Sequence, residues 1–291
     1  MLSSKIVMMK RIPFYIFIAA ALLQACEEPM DVTFNETGTK KIVVEGSITT
    51  DTLSHLIILS WSSDFFSSDS QQMVRNADLR ITDGEKSFKL NETMPGVYLT
   101  EPSVYGEIDK TYTLRIKLED GREYSASDRI NSLPEVDSVT VRDTILYQGP
   151  DKGNVSGYAI MYFGPEKPSP GDFYFWNLYI NDTIFNKYYW NSTFTDDKFV
   201  NGSYIHDFMV YFIQNSDLMK DTNSLVLETL SISKNYYNFL MDSNQETVWR
   251  GSPWDAPPAN INSNIENGAG FFKATAVKRN KIVLIKKNKK Q

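Results

Sequence analysis

Cys26, the only cysteine among the 291 residues, follows Leu22-Leu23-Gln24-Ala25 and is the residue best placed for covalent chemistry. A leucine three positions ahead, an alanine directly ahead, an apolar run from Ile12 to Ala21 and the positive charges of Lys5, Lys10 and Arg11 together have the form of a bacterial lipoprotein signal. The chemistry would be alkylation of the thiol: the sulfur becomes a thioether carrying fatty chains such as palmitate, residues 1–25 are removed, and the mature chain begins at Cys26. A retained transmembrane anchor fits less well, because spanning takes about 20 apolar residues and Pro13 and Gln24 interrupt the run. Each acyl methylene buried in a leaflet contributes about 0.8 kcal/mol, so two or three chains hold a protein durably.

Other catalytic chemistry is sparse. The two histidines, His55 and His206, cannot alone build a multi-histidine zinc site, and neither lies in an H-E-x-x-H arrangement. His55 precedes an apolar run and His206 follows Asn201-Gly202, so both are expected as surface imidazoles. G-x-S-x-G, a P-loop and a glycine-rich dinucleotide fingerprint are absent. A glycosidase needs only two suitably spaced carboxylates, but Asp196-Asp197 and Glu119-Asp120 are better explained as loop and hairpin residues. The chain is therefore expected to be no enzyme, with a glycan-active hydrolase as the alternative that two carboxylates keep open, and with no cofactor and no metal.

A second kind of site is suggested by aromatic density. Of the chain's 38 aromatic residues, 18 lie between Tyr158 and Phe212, and rings at consecutive positions of a strand must face both ways. Some fill a core, and others can form a surface for a protein partner or a sugar ring, since Tyr and Trp combine apolar area with a polar tip. Trp176, Tyr188, Tyr189 and Trp190 are the candidates for that surface.

Charge narrows the partners. Removing residues 1–25, which hold three basic and no acidic residues, takes the formal charge from −6 to about −9. Nucleic acid is not expected, because phosphate binding draws on clustered Lys and Arg. The one dense basic cluster, Lys278, Arg279, Lys281, Lys286, Lys287, Lys289 and Lys290, is expected to be a solvated strand end, with contact to anionic lipid headgroups as the alternative. A single cysteine leaves no intrachain disulfide, so packing must supply the stability.

The elements that position these residues are mainly β. Residues 26–41, with Glu27, Glu28, Pro29, Asp31 and Glu36, show no period and form an acidic tether. From 42 to 131 the apolar residues alternate, as in Ile42, Val44 and Ile48 or Tyr112, Leu114, Ile116 and Leu118, and Asp83-Gly84 and Asp120-Gly121 mark hairpins. An immunoglobulin-like β-sandwich fits that segment. Ser132-Leu133-Pro134 is the joint, and 135–291 forms a second, aromatic-rich β module. Its one helix is placed near 233–246, capped by Ser233, with Tyr236, Tyr237, Leu240 and Met241 at helical spacing.

These segments together resemble a family. Cys26-Glu27-Glu28-Pro29, Lys41-Ile42-Val43-Val44-Glu45-Gly46-Ser47-Ile48-Thr49, Pro95-Gly96-Val97-Tyr98, Tyr112-Thr113-Leu114, Pro257-Pro258-Ala259-Asn260-Ile261, Asn264-Ile265, Asn267-Gly268 and Gly270-Phe271-Phe272 are similar to the Bacteroidota lipoproteins grouped as domain of unknown function 4249. The resemblance covers nearly the whole mature chain, departs from the family pattern in the lysine-rich end, and brings no catalytic residues. It implies an outer-membrane lipoprotein working beside a TonB-dependent transporter in nutrient uptake. Glu27 and Glu28 then resemble the signal that exports lipoproteins to the cell surface in that phylum. The expected function is a lipid-anchored, non-enzymatic accessory or binding protein at the outer membrane, and the alternative is a surface glycan-binding or adhesive lipoprotein.

Overall fold

A computed structural model describes residues 40–63, 71–188, 191–218, 222–248 and 261–285. The chain is mainly β, with 54% of the described residues in strands and 8% helical, so sheet packing decides the architecture. The strands of the first part are β1 (Ile42–Thr49), β2 (Leu56–Trp61), β3 (Asp78–Thr82), β4 (Ser87–Met94), β5 (Val97–Leu99), β6 (Thr111–Lys117) and β7 (Glu123–Arg129). Those of the second are β8 (Ser138–Tyr147), β9 (Asn154–Pro165), β10 (Phe173–Ile180), β11 (Thr183–Ile184), β12 (Thr193–Asp196), β13 (Tyr204–Gln214), β14 (Thr222–Ile232) and β15 (Ala269–Ile285). One α-helix among the described residues, α1 (Lys234–Val248), lies between β14 and β15.

The first part is a sandwich. Ile42, Val44, Ile57, Leu59 and Tyr98 on one layer face Leu79, Ile81, Leu114, Ile116 and Ala126 on the other. Both expected hairpins form: β3 pairs with β4 across Asp83-Gly84, and β6 with β7 across Asp120-Gly121. In the first, Asp83 Oδ1 accepts the Lys86 N–H at 2.6 Å, and Gly84 takes the positive φ, 93°, that the turn requires. Tyr112, Leu114 and Ile116 all point into the core, as their alternation predicts.

The second part sets β10, β14 and the end of β15 against a three-stranded sheet of order β13-β9-β8. Tyr174, Trp176, Leu178, Leu225 and Leu227 fill that core together with Ile160 and Tyr162.

β15 belongs to both parts. Residues 269–275 run parallel to β1, and residues 276–285 continue antiparallel to β14. The joint read at Ser132-Leu133-Pro134 falls between β7 and β8, but a single sheet of order β11-β10-β14-β15-β1-β2-β5-β4-β3-β6-β7 passes across it. The strand end read as a solvated basic tail is also tied in. Arg279 Nη2 donates to the buried carboxylate of Glu228 at 2.6 Å and Arg279 Nη1 to Asp51, while Lys278 Nζ reaches the Val136 carbonyl at 3.3 Å. Residues 286–290 of that tail lie outside the described residues.

Candidate functional site

The helix creates a substantial concavity. Ser233 caps it, with its Oγ accepting the Tyr236 N–H at 3.2 Å. Tyr236, Phe239, Leu240 and Ser243 then recur at three- and four-residue spacing and are buried toward the sheet. Met241, expected on that face, points outward instead, because the stripe runs through Phe239 rather than along Tyr237 and Met241.

Opposite the helix lies the face of the sheet that does not serve the sandwich core. On β15 the alternation sends Phe272 and Ala274 into the sandwich and Phe271 and Lys273 toward α1. Gly270 makes the parallel approach to β1 possible: its φ is 84°, and a Cβ there would overlap the Val44 carbonyl oxygen. Between α1 and the outer faces of β1, β2 and β15 is a groove of about 700 Å³. Val43, Leu56, Ile58, Ile261 and Phe271 give it an apolar wall, Lys273 supplies a positive charge, and Glu45 and Glu246 supply negative ones.

The Lys273 ammonium lies 5.0 Å from the Tyr236 ring centroid and 5.5 Å from that of Phe175. Ring faces attract a cation but do not neutralise it. Among the described residues Lys273 has neither a hydrogen bond nor an ion pair. Burial holds its pKa below the usual lysine range, opposed by the negative charges of Glu228 and Asp128. An apolar wall with charges of both signs at its edge suits the binding of a ligand or segment that joins an apolar body to polar or charged groups.

The aromatic candidates are not gathered here. Trp176 is a correction: it is 2% exposed and packs among Tyr162, Tyr174 and Phe208, with centroids 6.0, 6.0 and 5.5 Å away. It faces the core because β10 is covered on both sides, a condition that a consecutive aromatic run cannot reveal. Tyr188 is 48% exposed, with the Lys187 ammonium over its ring. Tyr189 and Trp190 lie outside the described residues, as do Cys26, Glu27 and Glu28.

His55 is a second correction. Its ring is buried, with Nε2 at 3.2 Å from the Val104 carbonyl, and desolvation lowers its pKa, so it is a neutral core histidine. It turns inward because the bend before β2 lies under the 100–104 connection, where its N–H also meets Thr100 Oγ1. His206 is exposed on β13 beside Tyr204. Asp120 is a hairpin residue bound to Arg122, whereas Asp197 is buried in an acidic group with Glu166 and Asp172. The sequence reading singled out neither Lys273 nor that group. The available signal for Lys273 was its odd-numbered register with Phe271, which places a lysine on a face that α1 covers.

Residues 27–281 match the family model described as domain of unknown function (DUF4249), and the chain belongs to that family. No curated protein matches the chain significantly. Among the described residues no helix is long and apolar enough to cross a membrane.

Proposed function

We propose that this DUF4249 protein is an outer-membrane lipoprotein, held at the cell surface by acyl chains on Cys26, that acts without catalysis as an accessory binding protein for a TonB-dependent transporter. The anchoring half of the proposal is supported by Leu23-Gln24-Ala25-Cys26 and the basic and apolar segments before it. Glu27 and Glu28 support surface export, and the family resemblance supports the transporter. The observation that carries the binding half is the groove beneath α1, where an apolar wall of Val43, Leu56, Ile58, Ile261 and Phe271 stands beside the cation Lys273 and the carboxylates Glu45 and Glu246.

A ligand entering the groove would place its apolar body on Phe271, Leu56 and Ile58, an anionic group at Lys273 and its donor groups toward Glu45 and Glu246. The gain comes from apolar area removed from water, about 25 cal/mol per Å², and from supplying a counter-charge to the half-buried Lys273 ammonium. Such a site binds and releases a nutrient, or a segment of a partner, without altering it. The partner claim is tested by affinity capture of the natively expressed protein from detergent-solubilised outer membranes. Recovery of a TonB-dependent transporter is the expected result, and its absence under conditions that preserve other transporter complexes would refute the claim. A glycan array tests the alternative in which Tyr188 and its neighbours stack on sugar rings.

A further inference from the structure

The β9–β10 connection (166–172) and the β12–β13 connection (197–203) are laced together by their backbones. The Glu166 N–H donates to the Ser203 carbonyl at 2.8 Å, the Gly202 N–H to Lys167 at 3.0 Å and the Asp197 N–H to Asp172 at 3.1 Å. This lacing gathers three carboxylates. One side-chain oxygen from each of Glu166, Asp172 and Asp197 lies within 4.8 Å of the other two. Glu166 is 5% and Asp197 3% exposed, so two of the three charges are removed from water.

The protein supplies few donors in return. Tyr174 donates its hydroxyl proton to Glu166 Oε1 at 2.6 Å, and the Gly171 N–H is shared between the two oxygens of Asp197 at 3.1 and 3.0 Å. Lys167, the nearest cation in the sequence, directs its ammonium to the carbonyl and hydroxyl of Ser132 at 2.8 and 2.6 Å. Its charge acts on Asp172 only at longer range. Among the described residues none of the three carboxylates forms an ion pair. A separate observation points to a missing partner: Glu166 Oε2 is fully buried and has no hydrogen-bond donor. Orphaned charged oxygens of this kind are rare in folded proteins and call for an ion, a water or a proton.

We propose that Glu166, Asp172 and Asp197 bind a hard divalent cation, Ca²⁺ in particular, which ties the two connections to each other. Ca²⁺ holds oxygens at about 2.3–2.6 Å, so ligands on opposite sides of the ion stand about 4.8 Å apart, and it accepts irregular sets of carboxylates completed by carbonyls and water. Mg²⁺ requires about 2.0–2.1 Å and near-octahedral order, a tighter set than three carboxylates on two loops provide. With three charges from short connections, the affinity belongs with that of extracellular modules, about 10⁻⁴–10⁻³ M.

The test uses the full-length protein in detergent, stripped of metal with EDTA and dialysed. Tb³⁺ serves as the probe, because Tyr174 contacts a ligand carboxylate and can transfer excitation to the ion. The expected result is saturable tyrosine-sensitised terbium emission that Ca²⁺ displaces and equimolar Mg²⁺ does not. Ca²⁺ at about tenfold excess over its Kd should also raise the Tm by about 3–6 °C. Glu166→Gln and Asp172→Asn should each weaken Ca²⁺ binding about tenfold or more, and Asp172, the most exposed of the three, is the variant that keeps the fold. Identical melting in Ca²⁺ and EDTA with no terbium emission would overturn the proposal. So would an undiminished Ca²⁺ response in Asp172→Asn, which would place the ion elsewhere.

Discussion

Phe271 and Phe272 are consecutive on β15, are both buried, and belong to different cores: Phe272 packs inside the sandwich, and Phe271 packs against Tyr236 and Phe239 of α1 at centroid distances of 5.0 and 5.3 Å. Strand alternation sends the two rings to opposite faces of the sheet. One ring holds the fold together, and its neighbour forms the wall of the groove.

Truncating the two rings should therefore have separable consequences. Phe272→Ala should cost about 3–5 kcal/mol in urea unfolding, the range for a fully buried ring. Phe271→Ala should cost less, because its site borders a cavity already present, and it should alter binding in the groove. Equal losses of stability with unchanged binding would remove the distinction.

Lys273→Met is the direct test of the groove's charge. Replacing a half-buried ammonium that has no ion pair among the described residues with an apolar chain of similar length should leave stability unchanged or raise it. Binding of a fluorescent amphipathic anion, such as anilinonaphthalene sulfonate, should fall several-fold. Equal affinity of the probe for both proteins would mean that Lys273 does not select charge.

Asp128 gives the protein a pH dependence of known sign. It is buried and accepts the Ala274 N–H at 2.9 Å; desolvation outweighs that bond and raises its carboxyl to about 6. Between about pH 4 and pH 6 the folded chain keeps a proton that the unfolded chain has released, so this residue's contribution falls as pH rises through the window and is level above it. A displacement of this size corresponds to about 3 kcal/mol. The difference in stability between the native chain and Asp128→Asn, measured from pH 4 to pH 8, should move toward the variant by that order; a difference independent of pH would refute the assignment.

Arg279 and Glu228 lock the second half of β15 to β14. Glu228 is 5% exposed and is held by Arg279 Nη2 at 2.6 Å and by Asn177 Nδ2 at 2.6 Å. Arg279→Met leaves a buried carboxylate with one donor and should cost about 2 kcal/mol, below the full value for a buried pair because the guanidinium is partly exposed. Glu228→Gln in the same background should recover part of the loss in a double-mutant cycle.

The local elements were legible in the sequence and the long-range ones were not. Asp83-Gly84 and Asp120-Gly121 announce their hairpins because turn geometry is a property of adjacent residues, and Ser233 announces the helix for the same reason. The parallel pairing of β1 with β15 joins residues more than two hundred positions apart, and no periodicity encodes it. Trp176 and His55 were read outward because burial depends on what covers a strand or bend, not on the residue itself. Glu166, Asp172 and Asp197 come from two loops with no common spacing, so only the lacing of those loops exposes them as a set.

The proposed function rests on a covalent step, acylation of Cys26, which would make this β protein a fixture of the outer membrane. Mass spectrometry of the amino-terminal peptide from natively expressed protein tests it most directly. The account predicts a chain beginning at Cys26 with a diacylglyceryl thioether on its sulfur. A chain that retains residues 1–25, or a Cys26 with a free thiol, would contradict it.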